Sequence, residues 1–146
     1  MGDRCIFCLI VNGELESSVV YKDETCTVFM DVQPVNMGHV LIIPNKHVEL
    51  IYDLDDETVS HIFVIAKRIN RAIRKSSLKC EGINYFLADG EAAFQEVFHI
   101  HLHCFPRYKN DGFGLTFSEE YNEKPARKNL DIAANEIRKS LSSEST

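Results

Sequence analysis

Residues 99–105 read His99-Ile100-His101-Leu102-His103-Cys104-Phe105, a strict alternation of imidazoles with apolar side chains. A period of two belongs to a strand, whose successive side chains point to opposite faces. His99, His101 and His103 therefore share one face, with neighbours about 6.5 Å apart along the chain. Ile100, Leu102 and Cys104 share the other. A helix would scatter the three imidazoles around its circumference. The segment thus demands a sheet with one apolar face covered and a second face that carries imidazoles. Lysine, threonine or glutamate would suffice for a face that was merely solvated.

The chain around this strand supplies the rest of a sheet. Residues 18–21 and 25–31 are rich in β-branched and aromatic side chains and flank Lys22-Asp23-Glu24, which reads as a hairpin. Residues 39–43 form a third strand, ended by Pro44. Residues 82–87 form a fourth, and 97–105, ended by Pro106, a fifth; 88–96 is the loop between them. Cys5 to Val11 allows one or two helical turns before Asn12-Gly13. Residues 53–77 form the longest helix, with Val59, Ile62, Phe63, Ala66, Ile69 and Ile73 on its apolar face. Acids crowd its start and bases its end, as the helix dipole favours. Beyond Pro125 a last helix places Leu130, Ala133, Ile137 and Leu141 on one face, and residues 142–146 are expected to fray. Cys26, Cys80 and Cys104 read as packing residues, and His61 as a helix-surface or interface residue.

Five strands, a long helix between the third and fourth, and a C-terminal helix give an α+β class. The expected division is a domain over 1–113 and an extension over 114–146, its helix packed on the same domain. Composition narrows the partners. Acidic residues outnumber basic ones 22 to 16, a net charge of −6, which argues against nucleic acid or an anionic membrane. No apolar run reaches membrane-spanning length. No secretory signal is visible at the start, and five scattered cysteines suit a reducing compartment, so a cytoplasmic location is expected.

The histidine row admits two chemistries. Imidazoles on a strand can ligate a catalytic zinc ion, with a further ligand from elsewhere. A neutral imidazole can instead act as a nucleophile toward phosphorus, because its basicity lies near working pH.

The heptapeptide resembles the histidine triad (HIT) motif, His-φ-His-φ-His-φ-φ with φ apolar, of the HIT nucleotide hydrolases and transferases. Asp31, the segment from Gly38 to His47, Asp89-Gly90-Glu91, Gln95 and Pro106-Arg107-Tyr108 fall in order at family-like spacing. The likeness covers residues 5–113 and implies a HIT-like fold: a five-stranded, mainly antiparallel sheet with a long helix and a C-terminal helix. It also implies cleavage at the α-phosphate of a purine nucleotide or nucleotide conjugate through a covalent nucleotidyl-histidine. Phosphoramidates, adenylylated amines and dinucleoside polyphosphates are the substrate classes it suggests.

On that resemblance His101 is the nucleophile, His103 donates to the phosphate or the departing group, and His39 faces the same phosphate. A buried backbone carbonyl fixes the tautomer of His101. Asp31 grips the ribose hydroxyls, although it also suits the end of a strand. Ile6, Phe7, Ile10, Phe29 and Val32 line the base slot, and Gln95 contacts phosphate. Cys5-x-x-Cys8 is the usual first half of a zinc site, and His47 and His99 complete a Cys₂His₂ set that resembles bacterial-type members. Four protein ligands leave no open position, so such a zinc is structural and clips the N-terminal turn to the sheet. The family commonly forms homodimers. Three positions depart from the pattern: Phe94 and Glu96 flank Gln95 where members read Gly-Gln-Ser/Thr, and Ala88 replaces Asn or Gln. A nucleotide-binding or scaffold protein with weakened catalysis is the alternative, and a zinc hydrolase using the triad as ligands is a further one.

Overall fold

A computed structural model of the protein describes residues 5–144 of the 146. The chain divides into two compact units, Met1–Phe113 and Gly114–Thr146. In the first, a single turn-and-a-half helix α1 (Ile6–Val11) precedes strands β1 (Val19–Lys22), β2 (Cys26–Met30) and β3 (Val40–Pro44). Helix α2 (Asp56–Lys75), β4 (Gly82–Leu87) and β5 (Leu102–Arg107) follow. The five strands form one antiparallel sheet in the order β1-β2-β3-β5-β4, so the class is α+β as expected.

The period of two decides what each face carries. On β3, Val40 and Ile42 point to the side covered by α2, where they meet Val28, Ile100, Leu102 and Cys104. Leu41 and Ile43 point to the opposite side and pack with Phe7 of α1 and Phe29 of β2. The sheet is thus covered by α2 on one face and partly by α1 on the other, which leaves space beside α1 for a site.

Helix α2 contributes Ile62, Ile65, Ala66, Ile69 and Ile73 to the first core. Burying each isoleucine is worth about 1.5–3 kcal/mol. Asp55 caps its start, accepting from the Thr58 N–H at 2.8 Å. Phe63, expected on the buried face, is 50 % exposed, and Ile65 takes its place. Position 63 lies about 100° around the helix from Ile62, at the margin of the stripe, where pattern alone does not choose the side. The helix also starts at Asp56 and not at 53, because Ile51–Asp53 forms a separate 3-10 turn. His61 is more than a surface residue: its Nε2 lies 2.6 Å from Asp23 in the β1–β2 turn and ties α2 to that hairpin.

The largest departure lies in the triad strand. β5 begins at Leu102, not at 97, and runs through Pro106 to Arg107. The backbone upstream is spent elsewhere: Ile100 N–H donates to the Val48 carbonyl, and the His99 carbonyl accepts from the His101 ring. Pro106 is tolerated because β3 pairs only with residues 102–104 of β5, so no ladder partner on that side needs its missing N–H. Its ring packs instead against Gly38, where an added Cβ would meet it at 3.1 Å and where φ is +107.

In the second unit, α3 spans Arg127–Glu144, preceded by a short turn at Glu119–Asn122 and a stacked Phe117–Tyr121 pair. Leu130, Ile137 and Leu141 are exposed, and Ala134, not Ala133, is the half-buried position. The helix continues through Ser142 and Ser143 where fraying is expected; residues 145–146 of that expected tail lie outside the described residues. Among the described residues no helix is long and apolar enough to cross a membrane.

Candidate functional site

The floor of the site is a cross-strand row. Phe29 pairs with Leu41, Leu41 with His103, and His103 with Phe86, all on the face away from α2. Above this row lies a cavity of about 720 Å³, within the range of small-molecule sites. Ile6, Phe7 and Ile10 of α1 wall one side, Val32 stands 94 % exposed at the rim, and Asp31, His39, His101 and His103 complete the polar part. Phe7 bridges the apolar wall and the imidazoles, its ring 5.0 Å from His101 in an edge contact.

Two backbone groups set the state of the cavity histidines. The His101 Nδ1 lies 2.7 Å from the His99 carbonyl. A carbonyl only accepts, so Nδ1 carries the proton and Nε2 the lone pair. The Val35 N–H donates to His39 Nδ1 at 3.0 Å, so His39 carries its proton on Nε2 and donates it to His103 Nδ1 at 2.9 Å. His103 is thereby left with Nε2–H as its free donor. One imidazole with a free lone pair and a neighbour with a free N–H, their rings 4.9 Å apart, are suited to nucleophilic attack beside a hydrogen-bonded oxyanion.

Burial keeps this set neutral. Desolvation lowers His39, opposed by the Asp31 carboxylate. It lowers His101 as well, opposed by the carbonyl of His99 and by the charges of Asp31 and Glu96. His103 falls to about 4, first by desolvation and then by His101 and His39. All three imidazoles are therefore unprotonated near neutral pH, the form that nucleophilic attack requires.

Asp31 follows the last residue of β2. Its Oδ1 accepts from the Gln33 N–H at 2.8 Å, and Oδ2 lies 3.5 Å from His39 Nε2 and 3.8 Å from His103 Nδ1. Asp31, His39 and His103 also come within common reach of one ion. The hydrogen bond from Val35 argues against a metal there, because it holds the proton on the nitrogen that would have to ligate. The triad cannot ligate one ion together either, since His99 turns its ring away toward the cysteines. This removes the structural basis of the zinc-hydrolase alternative.

Gln95 departs from its expected role. It is 3 % exposed, accepts from the Gly90 N–H at 2.8 Å and donates to the carbonyls of Glu49 (2.7 Å) and Val97. Its amide is spent on clamping the 88–96 loop and does not line the cavity. Its neighbours do: Phe94 is 81 % exposed at the rim in a left-handed backbone conformation (φ 69), and Glu96 stands beside it. That conformation costs a non-glycine residue about 1–2 kcal/mol. Ala88, the residue after β4, is buried and takes no part in the cavity. Sequence reasoning missed Leu41, Phe86 and Phe105 as floor and wall residues, which only strand register reveals.

A second cluster lies at the other end of the triad. Cys5, Cys8, His47 and His99 bring one ligand atom each within 4.8 Å of one another. Cys5 Sγ and Cys8 Sγ lie 3.5 and 3.6 Å from His99 Nδ1, and Cys8 Sγ 3.3 Å from His47 Nδ1. Zinc with bonds of about 2.3 Å to sulfur and 2.0 Å to nitrogen places such atoms about 3.5 Å apart at the tetrahedral angle. His99 Nε2–H donates to the Pro44 carbonyl at 2.8 Å, which leaves Nδ1 with its lone pair toward the thiols. The donor set therefore fits zinc. Asp23, Cys26 and His61 also gather, but Asp23 is filled by the N–H groups of Thr25 and Cys26, and burial pushes the Cys26 thiol up to about 12.

Comparison with known proteins agrees with this geometry. A family model described as the HIT domain matches residues 12–110. An uncharacterized HIT-like protein of Borreliella burgdorferi is 42% identical over 119 residues, 81% of this chain and 86% of that one. A HIT family protein of Bacillus anthracis superposes with a TM-score of 0.85 at 42% identity, covering 94% of this chain and 97% of that one. A Zn-bound histidine triad family protein of Mycobacterium smegmatis gives 0.74 at 35% identity, covering 96% and 99%. A histidine triad nucleotide-binding protein of Candida albicans gives 0.83 at 27% identity, covering 95% and 98%. Sequence match, sheet order and the imidazole row converge, and the chain belongs to the HIT family.

Proposed function

We propose that the protein is a nucleotide hydrolase or nucleotidyl transferase that works through a covalent adduct on His101. The observation that carries this reading is the tautomer of His101: Nδ1–H is held by a main-chain carbonyl and the free Nε2 faces a nucleotide-sized cavity. The lone pair of Nε2 forms a bond to the α-phosphorus while the leaving group departs with its bonding pair. A departing amine takes up a proton from solvent, which the hydrolytic water later returns. His103 Nε2–H steadies a phosphoryl oxygen. The adduct is a nucleotidyl-imidazolium whose Nδ1–H remains on the His99 carbonyl. Water then attacks the same phosphorus and gives up a proton, and the N–P bond returns its pair to Nε2.

The purine base lies between Ile6, Phe7, Ile10 and Phe29, and Asp31 Oδ2 receives ribose hydroxyls. Gln95 acts on phosphate only by holding its loop. Cys5, Cys8, His47 and His99 hold one structural zinc, which fastens α1 to the sheet. The exposed Phe63 of α2 and Tyr85 of β4 line one surface groove, which a second copy covers in a homodimer. The name of the C. albicans relative supports a nucleotide ligand, and that of the M. smegmatis relative supports zinc.

Intact-mass measurement after mixing with an adenosine phosphoramidate tests the reading. The expected result is a nucleotidyl adduct and turnover, both absent in His101→Ala and His101→Gly. Binding of adenosine monophosphate with neither adduct nor turnover in the wild type refutes catalysis and leaves a nucleotide-binding protein.

A further inference from the structure

The Val35 N–H that fixes the tautomer of His39 lies in the loop between β2 and β3, and that loop is gripped from outside. Asn36 is buried, and its Nδ2 donates to the Pro106 carbonyl of β5 at 2.9 Å and to Asp111 Oδ2 at 2.8 Å. A carbonyl and a carboxylate only accept, so both hydrogens of this amide are spent and its orientation is fixed. The main chain of Asn36 closes the turn onto the histidine, its carbonyl accepting from the His39 N–H at 3.0 Å. Gly38 supplies the positive φ inside that turn. Asn36 therefore joins an anchor on β5 to the residues that carry the Val35 N–H and the His39 ring.

Asp111 is the other half of the grip. Its side chain is 2 % exposed. Arg107 donates to it twice, from Nε at 2.6 Å and from Nη2 at 3.0 Å, and the N–H groups of Phe113 and Tyr108 donate at 3.2 and 3.3 Å. Arg107 in turn donates to the Asn84 side chain of β4 at 2.7 Å and to the Phe113 carbonyl at 2.8 Å. The guanidinium above all holds the Asp111 carboxyl well below the usual carboxylate range, with Asn36 and the two N–H groups adding to it against burial. A carboxylate with every oxygen bonded is a rigid post. Neither Asn36 nor Asp111 lines the cavity, so neither touches a ligand held there.

We propose that Asn36 and Asp111 are positioning residues for the reaction: they hold the β2–β3 loop where the Val35 N–H meets His39 Nδ1. That contact keeps the His39 proton on Nε2 and leaves His103 Nε2–H as the free donor. The inference rests on the reading of His101 as nucleophile with His103 as donor, and it extends control of that site to a polar cluster outside the cavity.

The test joins a spectrum to a double-mutant cycle on the full-length protein. Long-range proton–nitrogen correlation spectra of the imidazoles report which nitrogen of His39 carries the proton, and the wild type should show Nε2–H. Asn36→Ala removes both donors. Asp111→Asn turns an NH₂ group toward donors in either orientation. Each should shift the His39 tautomer ratio about fivefold toward Nδ1–H, the worth of one hydrogen bond. Turnover of an adenosine phosphoramidate should fall about tenfold in kcat, part of the roughly 10²-fold that misplacement by about 1 Å costs, with the Kd for adenosine monophosphate within about threefold. In a His39→Gln background, where the Val35 bond is already absent, the same changes should lower kcat by less than about twofold further. Ile65→Ala, which weakens the fold from the α2 side of the sheet, should leave the His39 proton on Nε2. Urea unfolding ranks the variants and checks that each is folded. An unchanged tautomer in either variant that folds, or losses that add in full on His39→Gln, overturns the positioning role and leaves the His101 chemistry standing. Absence of both adduct and turnover in the wild type overturns the His101 reading and the positioning role together.

Discussion

The relay from Val35 through His39 to His103 predicts that activity and stability respond differently to replacements at position 39. His39 is buried and uses both ring nitrogens, accepting from Val35 at 3.0 Å and donating to His103 at 2.9 Å. His39→Ala leaves an N–H and an imidazole nitrogen without partners. At about 1–3 kcal/mol for each unsatisfied group, reduced where water enters the space, the expected loss is about 2–4 kcal/mol. The same change frees His103 to place its proton on Nδ1, which removes the donor from the phosphate. Loss of one such donor costs about 10²–10³ in kcat. His39→Gln separates the two effects. Its amide can donate to His103 but cannot also accept from Val35 in the same geometry. It should therefore recover at least tenfold of the lost activity while remaining destabilised. Urea unfolding gives the first quantity and phosphoramidate turnover the second. If Gln and Ala lose activity equally, or if Ala keeps kcat within about twofold, the proton relay is refuted.

The pH dependence of stability follows from His103, whose folded pKa of about 4 lies below its ordinary 6.5 because burial disfavours the cation. Between those values the unfolded chain binds more protons, so the contribution is complete above about pH 6.5 and is lost as pH falls toward 4. About 2 kcal/mol should disappear between pH 7.5 and 5 in urea titrations; stability that stays flat over that window contradicts the assignment. The purified protein should carry one zinc per chain by elemental mass spectrometry. Cys8→Ser should lose the metal, lower Tm and weaken nucleoside monophosphate binding, since a six-residue helix does not hold Ile6, Phe7 and Ile10 in place alone. Full metal content in Cys8→Ser refutes the ligand set. Ile65→Ala should cost about 2–5 kcal/mol, whereas Phe63→Ala should cost under about 1 kcal/mol in chemical unfolding at low protein concentration. Equal losses contradict the observed orientation of α2.

Much of this arrangement was readable in the alternation of residues 99–105. The apolar partners Ile100, Leu102 and Cys104 do enter the α2-side core, and the imidazoles do share the opposite side. What alternation does not reveal is that the regular ladder begins only at Leu102. The pattern reports side-chain direction, while the peptide groups of residues 99 and 100 bond to a ring and to the 48 carbonyl. Gln95 shows a related limit. A glutamine beside a phosphate site and a glutamine that fastens a loop look identical in sequence, and only the positions of the Gly90 and Glu49 backbone groups distinguish them. Phe63 and Ile65 divide on a few tens of degrees of helix rotation, finer than a hydrophobic stripe resolves.

The histidines take their proton assignments from Val35 N–H and from the carbonyls of His99 and Pro44. The protonation pattern is thus carried by peptide groups, which no substitution short of proline at position 35 deletes. Grafting the imidazoles onto another sheet would transfer the ligands and the nucleophile without the instructions for where each hydrogen resides. A working copy must reproduce the path of two loops and the end of β3, and replacing single amides by esters is the chemical edit that would reach this layer of the design.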